Sequence, residues 1–149
     1  MTDWRDLLID DDAGLTAIFT ESKTVAVLGA KTGASEPAFY VPAYLHARGY
    51  SIRPVNPRFA GRRLHDRDTV ATLRDLTDPV DVIEIFRRPE YLSGHADEIL
   101  ALPWRPKTVW FQLGIRNDAA AEKLARAGIR VVQDRCMMPE HRRLHPQRY

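Results

Sequence analysis

The sequence predicts an α/β domain: a Rossmann-like, doubly wound sheet of five parallel strands with helices on both faces. Three observations carry that expectation. Short apolar runs rich in Val and Ile recur along the chain, as parallel strands covered on both faces require. Segments with helical spacing separate these runs. The connections between them are short and punctuated by Gly, Pro, Asn and Asp.

A helix over about 13–20 leads in. TVAVLGA (24–30) is the first strand, a β-branched run closed by glycine. PAFYVPAYLHARG (37–49) has an apolar face at helical spacing and stops at Gly49. Pro42 lies inside it, so the helix is expected to start near Pro42 or bend there. SIRPVN (51–56) is the second strand. Pro54 cannot donate to a ladder, which predicts a bulge or an early end.

DTVATLRDL (68–76) reads as a helix capped by Asp68. VDVIEIF (80–86) is the third strand. PEYLSGHADEILAL (89–102) is a helix with Pro89 in its first turn. TVWFQLG (108–114) is the fourth strand. NDAAAEKLARAG (117–128) is a helix capped by Asn117, with acids leading and bases trailing. IRVVQD (129–134) is the fifth strand, and a short helix is expected from Pro139. Right-handed crossovers lead us to expect the strand order 3-2-1-4-5. The 149 residues read as one domain, with 1–23 a helical lead-in and 135–149 a tail.

Composition narrows the function classes. With 44% hydrophobic and 28% charged residues, this is the balance of a globular protein. A net charge of +2 gives no global pull toward nucleic acid, and the basic tail with Arg142, Arg143 and Arg148 reads as a solvated end. No apolar run approaches the roughly 20 residues of a membrane span. The single cysteine, Cys136, excludes a disulfide framework, and a cytoplasmic location is expected. No His/Cys pair has zinc spacing, so no metal is expected. Exposed Trp, Phe and Met in the last third would favour a homodimer.

In a sheet of this kind ligands bind beyond the carboxyl ends of the strands. After the first strand, Gly29, Ala30, Lys31, Thr32, Gly33 and Ser35 offer close backbone approach, side-chain donors and a following helix N-terminus. The spacing is G-x-x-x-G, neither a dinucleotide fingerprint nor a P-loop; a phosphate cradle and an ordinary turn both fit it. After the second strand come Asn56, Pro57 and Arg58. A nicotinamide site would place an acid here for the ribose, whereas Arg58 suits a phosphate on it. After the third strand, Phe86 and Pro89 flank Arg87 and Arg88. After the fourth come Gln112, Gly114 and Ile115. Together these suit a ligand with several phosphates, one on a ribose, and a long apolar or amide arm, as in coenzyme A.

The pieces TVAVLGAKTG, YSIRPVNPRFAG, VDVIEIFRRPE, VWFQLGIRN and VVQDRCMMPEHRRL run in order from about residue 24 to 144. In that order the chain resembles the small bacterial CoA-binding proteins related to the N-terminal domain of the succinyl-CoA synthetase alpha subunit. The resemblance implies a Rossmann-like domain binding coenzyme A or an acyl-CoA. It implies that Gly29 to Ser35 hold the diphosphate and that Arg58 faces the nucleotide phosphates. It further implies that Phe86 to Pro89 and Gln112 to Ile115 contact adenine or pantetheine. The synthetase carries its phosphorylated histidine on a further domain that the resemblance does not reach, so its reaction is not implied.

No catalytic constellation is evident. His46, His65, His95, His141 and His145 are scattered, and neither G-x-S-x-G nor HExxH occurs. Asp134 and Arg135 after the fifth strand read as an ion pair or a tail anchor. Cys136 beside Arg135 would gain reactivity if the guanidinium lowered its pKa. Trp4, Trp104 and Trp110 read as core or interface residues. The alternative to a CoA-binding protein is an NADP-binding reductase or redox sensor, with Arg58 serving a 2′-phosphate.

Overall fold

The computed structural model describes residues 3–144 and Pro146. His145 and Arg148, named above, lie outside the described residues. The lead-in is a 3-10 turn, Trp4–Leu7, followed by helix α1, Asp12–Glu21. Strand β1, Thr24–Leu28, leads through a loop to α2, Pro37–Ala47, and then to β2, Ser51–Val55. A small hairpin follows, β3 (Arg63–Leu64) with β4 (Arg67–Asp68). Strand β5, Val82–Ile85, precedes α3, Leu92–Leu100. Strand β6, Thr108–Phe111, precedes α4, Asp118–Arg126. Strand β7, Arg130–Val132, precedes α5, Met137–Leu144.

The main sheet has five parallel strands in the order β2-β1-β5-β6-β7. Counting main-sheet strands alone this is 2-1-3-4-5, not the expected 3-2-1-4-5. The third strand docks on the free side of β1 rather than outside β2. The position between β1 and β5 is therefore where the winding reverses, and where the strand ends part.

Alternation along the strands builds two cores. Ala26, Leu28, Ile83, Ile85, Val109 and Phe111 face α3 and α4. Val25, Val27, Ile52, Val82, Trp110 and Val132 face α1, α2 and the start of α5. Trp110 is fully buried and its Nε1–H donates to the Arg135 carbonyl at 2.7 Å, so this tryptophan is core, as expected. Trp4 and Trp104 pack partly buried against the other core.

Both edges of the sheet are blunted. Leu8 forms a parallel bridge to Val131, and Val70 does the same to Val55 on β2. The backbone of Ser51 and Val55 faces β1, with Ser51 N–H donating to Lys23 and the Val55 carbonyl accepting from Gly29. Pro54 therefore turns its missing donor outward, while its carbonyl accepts from Val70 N–H at 3.1 Å. It sits within β2 without a bulge, because an edge strand loses nothing there.

The helix expected at 68–76 does not form. Asp68 ends the hairpin, Val70 joins the sheet edge, and only Leu73–Asp75 makes a 3-10 turn. The Asp75 carboxylate accepts from both the N–H and the hydroxyl of Thr72, each at 3.0 Å. The β-branched residues Thr69, Val70 and Thr72 suit extended backbone better than a helix, and the open edge of β2 draws them in. The tail helix starts at Met137, two residues before the expected Pro139.

Helix α2 starts at Pro37, not near Pro42, and continues through Pro42. Proline frees the carbonyl four residues back, here that of Ala38. Lys31 N–H approaches this carbonyl at 3.5 Å. The helix-breaking residue thus ties the loop after β1 to the helix that follows it.

Candidate functional site

An open cleft of ≈ 440 Å³ lies across the carboxyl ends of β1, β5 and β6. One wall comes from the loop after β1 and the first turn of α2: Lys31, Glu36, Pro37, Ala38 and Tyr40. The opposite wall is Phe86, Arg87, Arg88 and Pro89. Gln112, Leu113 and Ile115 close one end with Cys136. Seven of the expected site residues therefore meet here: Lys31, Phe86, Arg87, Arg88, Pro89, Gln112 and Ile115.

The rest of the loop frames this cleft. Gly29 has φ +94°, and a Cβ there would stand 2.6 Å from the Phe86 carbonyl oxygen. Only glycine lets the ends of β1 and β5 approach so closely. Ala30 is buried, while Thr32, Gly33 and Ser35 carry the outer part of the loop. Among the described residues the N–H groups of Thr32, Gly33 and Ser35 meet no acceptor, so the loop presents free donors at a helix N-terminus.

A carboxylate already occupies that ground. Glu36 caps α2 without a side-chain cap bond. Its Oε2 instead pairs with Lys31 Nζ at 3.1 Å, and its Oε1 lies 2.7 Å from where a Cβ on Gly33 would stand. The charges on the cleft wall are Lys31, Arg87 and Arg88 against Glu36 alone. Arg87 has no ion-pair partner among the described residues, and its buried Nε is unpartnered.

Asn56 proves to be a brace. Its Nδ2 donates to the Ala30 carbonyl at 2.8 Å, and its Oδ1 accepts from Arg58 N–H at 2.9 Å. The loops after β1 and β2 are thereby fixed to one another. Pro57 and Arg58 stand exposed on the 3-10 turn that follows, outside the cleft wall. The Arg58 guanidinium lies 5.4 Å from the Phe59 ring centre and forms no ion pair among the described residues. Gly114 has φ +83°, and its N–H donates to Asp134 Oδ1 at 2.7 Å, so it shapes the turn beside the cleft.

Asp134 and Arg135 do not pair with each other. Arg135 bonds Asp10 at 2.7 Å and Glu140 at 3.3 Å, anchoring the lead-in to α5. Its charge is thus spent away from Cys136, whose thiol is pushed up, first by burial, rather than down. The four described histidines stay off the cleft wall. His46 contacts Asp66 at 3.1 Å, His95 contacts Glu98 at 3.2 Å, and His141 meets the Tyr44 hydroxyl at 3.0 Å. His65 packs on Phe39, with burial lowering its pKa.

Sequence reasoning did not single out Glu36, Pro37, Ala38, Tyr40 or Leu113 as wall residues, although the span Gln112 to Ile115 contains Leu113. Glu36 and Pro37 end the loop GAKTGASEP (29–37), whereas Ala38 and Tyr40 lie beyond it in the first turn of α2. Leu113, 66% exposed, was a signal in hindsight: a large apolar residue between two site positions.

A larger groove of ≈ 690 Å³ flanks the outer edge of β2 and the hairpin. Its wall sets Arg53, Arg63 and Arg67 against Asp66, Asp68, Asp75 and Asp78. Carboxylates outnumber guanidiniums, so it has no excess positive charge for a phosphorylated ligand.

Comparisons with known proteins agree with this fold. An uncharacterized protein, YneT, of Bacillus subtilis is 30% identical over 129 residues, covering 87% of this chain and 93% of YneT. The solved structure of cell-free ID.343 from Thermus thermophilus is 50% identical with a TM-score of 0.86, covering 91% of this chain and 99% of that one. A hypothetical protein from Pyrococcus horikoshii is 31% identical with a TM-score of 0.83, covering 91% and 93%. The family described as CoA binding domain matches residues 23–142, which include every strand of the main sheet and every wall of the cleft. The chain belongs to the CoA binding domain family.

Proposed function

We propose that this chain binds coenzyme A, or an acyl-CoA, across the carboxyl ends of β1, β2, β5 and β6. The observation that carries the reading is the polarity of the site along its length. Free loop donors, Lys31 and the exposed Arg58 lie toward β1 and β2. Phe86, Ile115 and Leu113 line the way toward β6, which ends at the only cysteine. A ligand with phosphates at one end and an apolar, amide-bearing thiol arm at the other matches that gradient. Family membership supports the same ligand.

The proposed role is binding, with no catalytic residue assigned. Among the described residues no helix is long and apolar enough to cross a membrane. We place the protein's work in the cytoplasm, where the ligand is made and used and where an unpaired cysteine stays reduced.

Calorimetric titration with CoA, dephospho-CoA and NADPH tests the reading. One saturable site for CoA, weaker binding of dephospho-CoA and no competition by NADPH are expected. Absence of heat with CoA up to millimolar concentration would overturn it. Tighter binding of NADPH than of CoA would favour the reductase or redox-sensor alternative.

A further inference from the structure

Cys136 stands where two clefts meet. It lines the cleft at the strand ends and also a neighbouring one of ≈ 320 Å³ between α5 and the turn after β6. Leu113 is shared by both in the same way. Met138 N–H and the Gln112 side chain partly oppose the upward push that burial gives the Cys136 thiol. Gln112 is only 4% exposed, and its Oε1 is buried with no partner. A buried acceptor without a donor is costly, and an amide N–H of a ligand arm entering the cleft would satisfy it. Gln112 and Cys136 both line the cleft at the strand ends.

We propose that Cys136 captures the sulfur end of the ligand as a mixed disulfide, by exchange with the disulfide form of coenzyme A. The inference rests on the CoA-binding reading of this cleft. In the step, the Cys136 thiol gives its proton to solvent and its sulfur attacks the nearer sulfur of CoA disulfide. That S–S bond breaks, the Cys136–CoA bond forms, and the second CoA leaves as a thiolate that takes up a proton. The incoming disulfide is the two-electron oxidant, and one reduced CoA is released per adduct.

The surroundings suit exchange. Met138 N–H and Gln112 stabilise the attacking thiolate, and disulfide exchange needs no acid, base or oxyanion hole beyond that. Burial disfavours the thiolate, so Cys136 reacts poorly with reagents from bulk water. The same burial makes the captured disulfide hard to reduce, because reduction must regenerate the disfavoured species. Selectivity then comes from binding, which holds the CoA sulfur beside Cys136.

Cys136 is the only cysteine, so intact-mass spectrometry of the full chain reads the reaction directly. With CoA disulfide the protein gains the mass of one CoA less two hydrogens. Dithiothreitol reverses the gain, and Cys136→Ser abolishes it. The adduct forms at least about tenfold faster than with glutathione disulfide, which the cleft does not hold. Excess dephospho-CoA slows the reaction by competing for the site. Equal rates with the two disulfides would overturn the proposal. So would acetylation of Cys136 by acetyl-CoA without capture of CoA disulfide, since that makes the thiol an acyl acceptor instead. Calorimetry with CoA on Cys136→Ser separates the two claims. Binding without any adduct in the wild type sinks the capture alone, whereas no CoA binding to either protein sinks the reading of the cleft.

Discussion

Glu84 is fully buried in the middle strand of the sheet, and neither of its carboxylate oxygens has a hydrogen-bond partner. Its register neighbours are Val27 on β1 and Trp110 on β6, both apolar, and its charge would be felt by the Cys136 thiol. Desolvation raises its pKa from the ordinary 4.5 to about 8. The unfolded chain releases this proton near pH 4.5, whereas the native chain holds it until about pH 8. The native state therefore binds more protons across that window, and stability falls as pH rises through it. The contribution is intact below pH 4.5 and fully lost above about pH 8.

At about 1.4 kcal/mol for each tenfold step, the full loss is about 5 kcal/mol, and about 4 kcal/mol falls between pH 5 and pH 8. That rivals the whole stability of a small domain, roughly 5–15 kcal/mol. Urea unfolding at pH 5 and pH 8 reads it, comparing wild type with Glu84→Gln. The wild-type midpoint should drop by about 2 M over this range, taking an m-value of about 2 kcal/mol per M. The variant, which cannot titrate here, should show a much flatter profile and exceed the wild type at pH 8. Equal pH slopes in the two proteins would refute the assignment of the buried carboxyl as the source.

Arg58→Ala should weaken CoA by on the order of 1.5–3 kcal/mol, about a tenfold to hundredfold loss, while leaving dephospho-CoA nearly unchanged; equal losses for both in calorimetry would reassign Arg58 to holding its loop. Glu36→Gln removes the carboxylate that occupies the loop and frees Lys31, so CoA affinity should rise by up to about fivefold, the worth of an exposed ion pair. A loss of affinity in the same titration would mean that Glu36 helps to hold the ligand.

The five strands were legible because a parallel sheet covered on both faces demands apolar residues at nearly every position, as in VIEI at 82–85. Their order was not, since right-handed crossovers permit the third strand on either side of the first pair. The hairpin at 63–68 was hidden because its turn, His65–Asp66, takes positive φ without glycine. Pairing with β2 then overrode the helical reading of the residues after it. The loop, Phe86 to Pro89, Gln112 and Ile115 were legible from their place after strands. The roles of Glu36 and Asn56 were not, because each depends on a contact across space: Glu36 over Gly33, and Asn56 with Ala30 from a neighbouring strand's loop.

The central claim is that CoA binds at the carboxyl ends of the sheet, and ¹⁵N chemical-shift mapping during CoA titration tests it most directly. The account predicts saturable shifts in the N–H signals of Gly29 to Ser35, Arg58, Phe86 to Arg88 and Gln112 to Ile115, with little change at Arg53, Arg63 and Arg67. Shifts gathered instead around the groove beside β2, or none up to millimolar CoA, would contradict it.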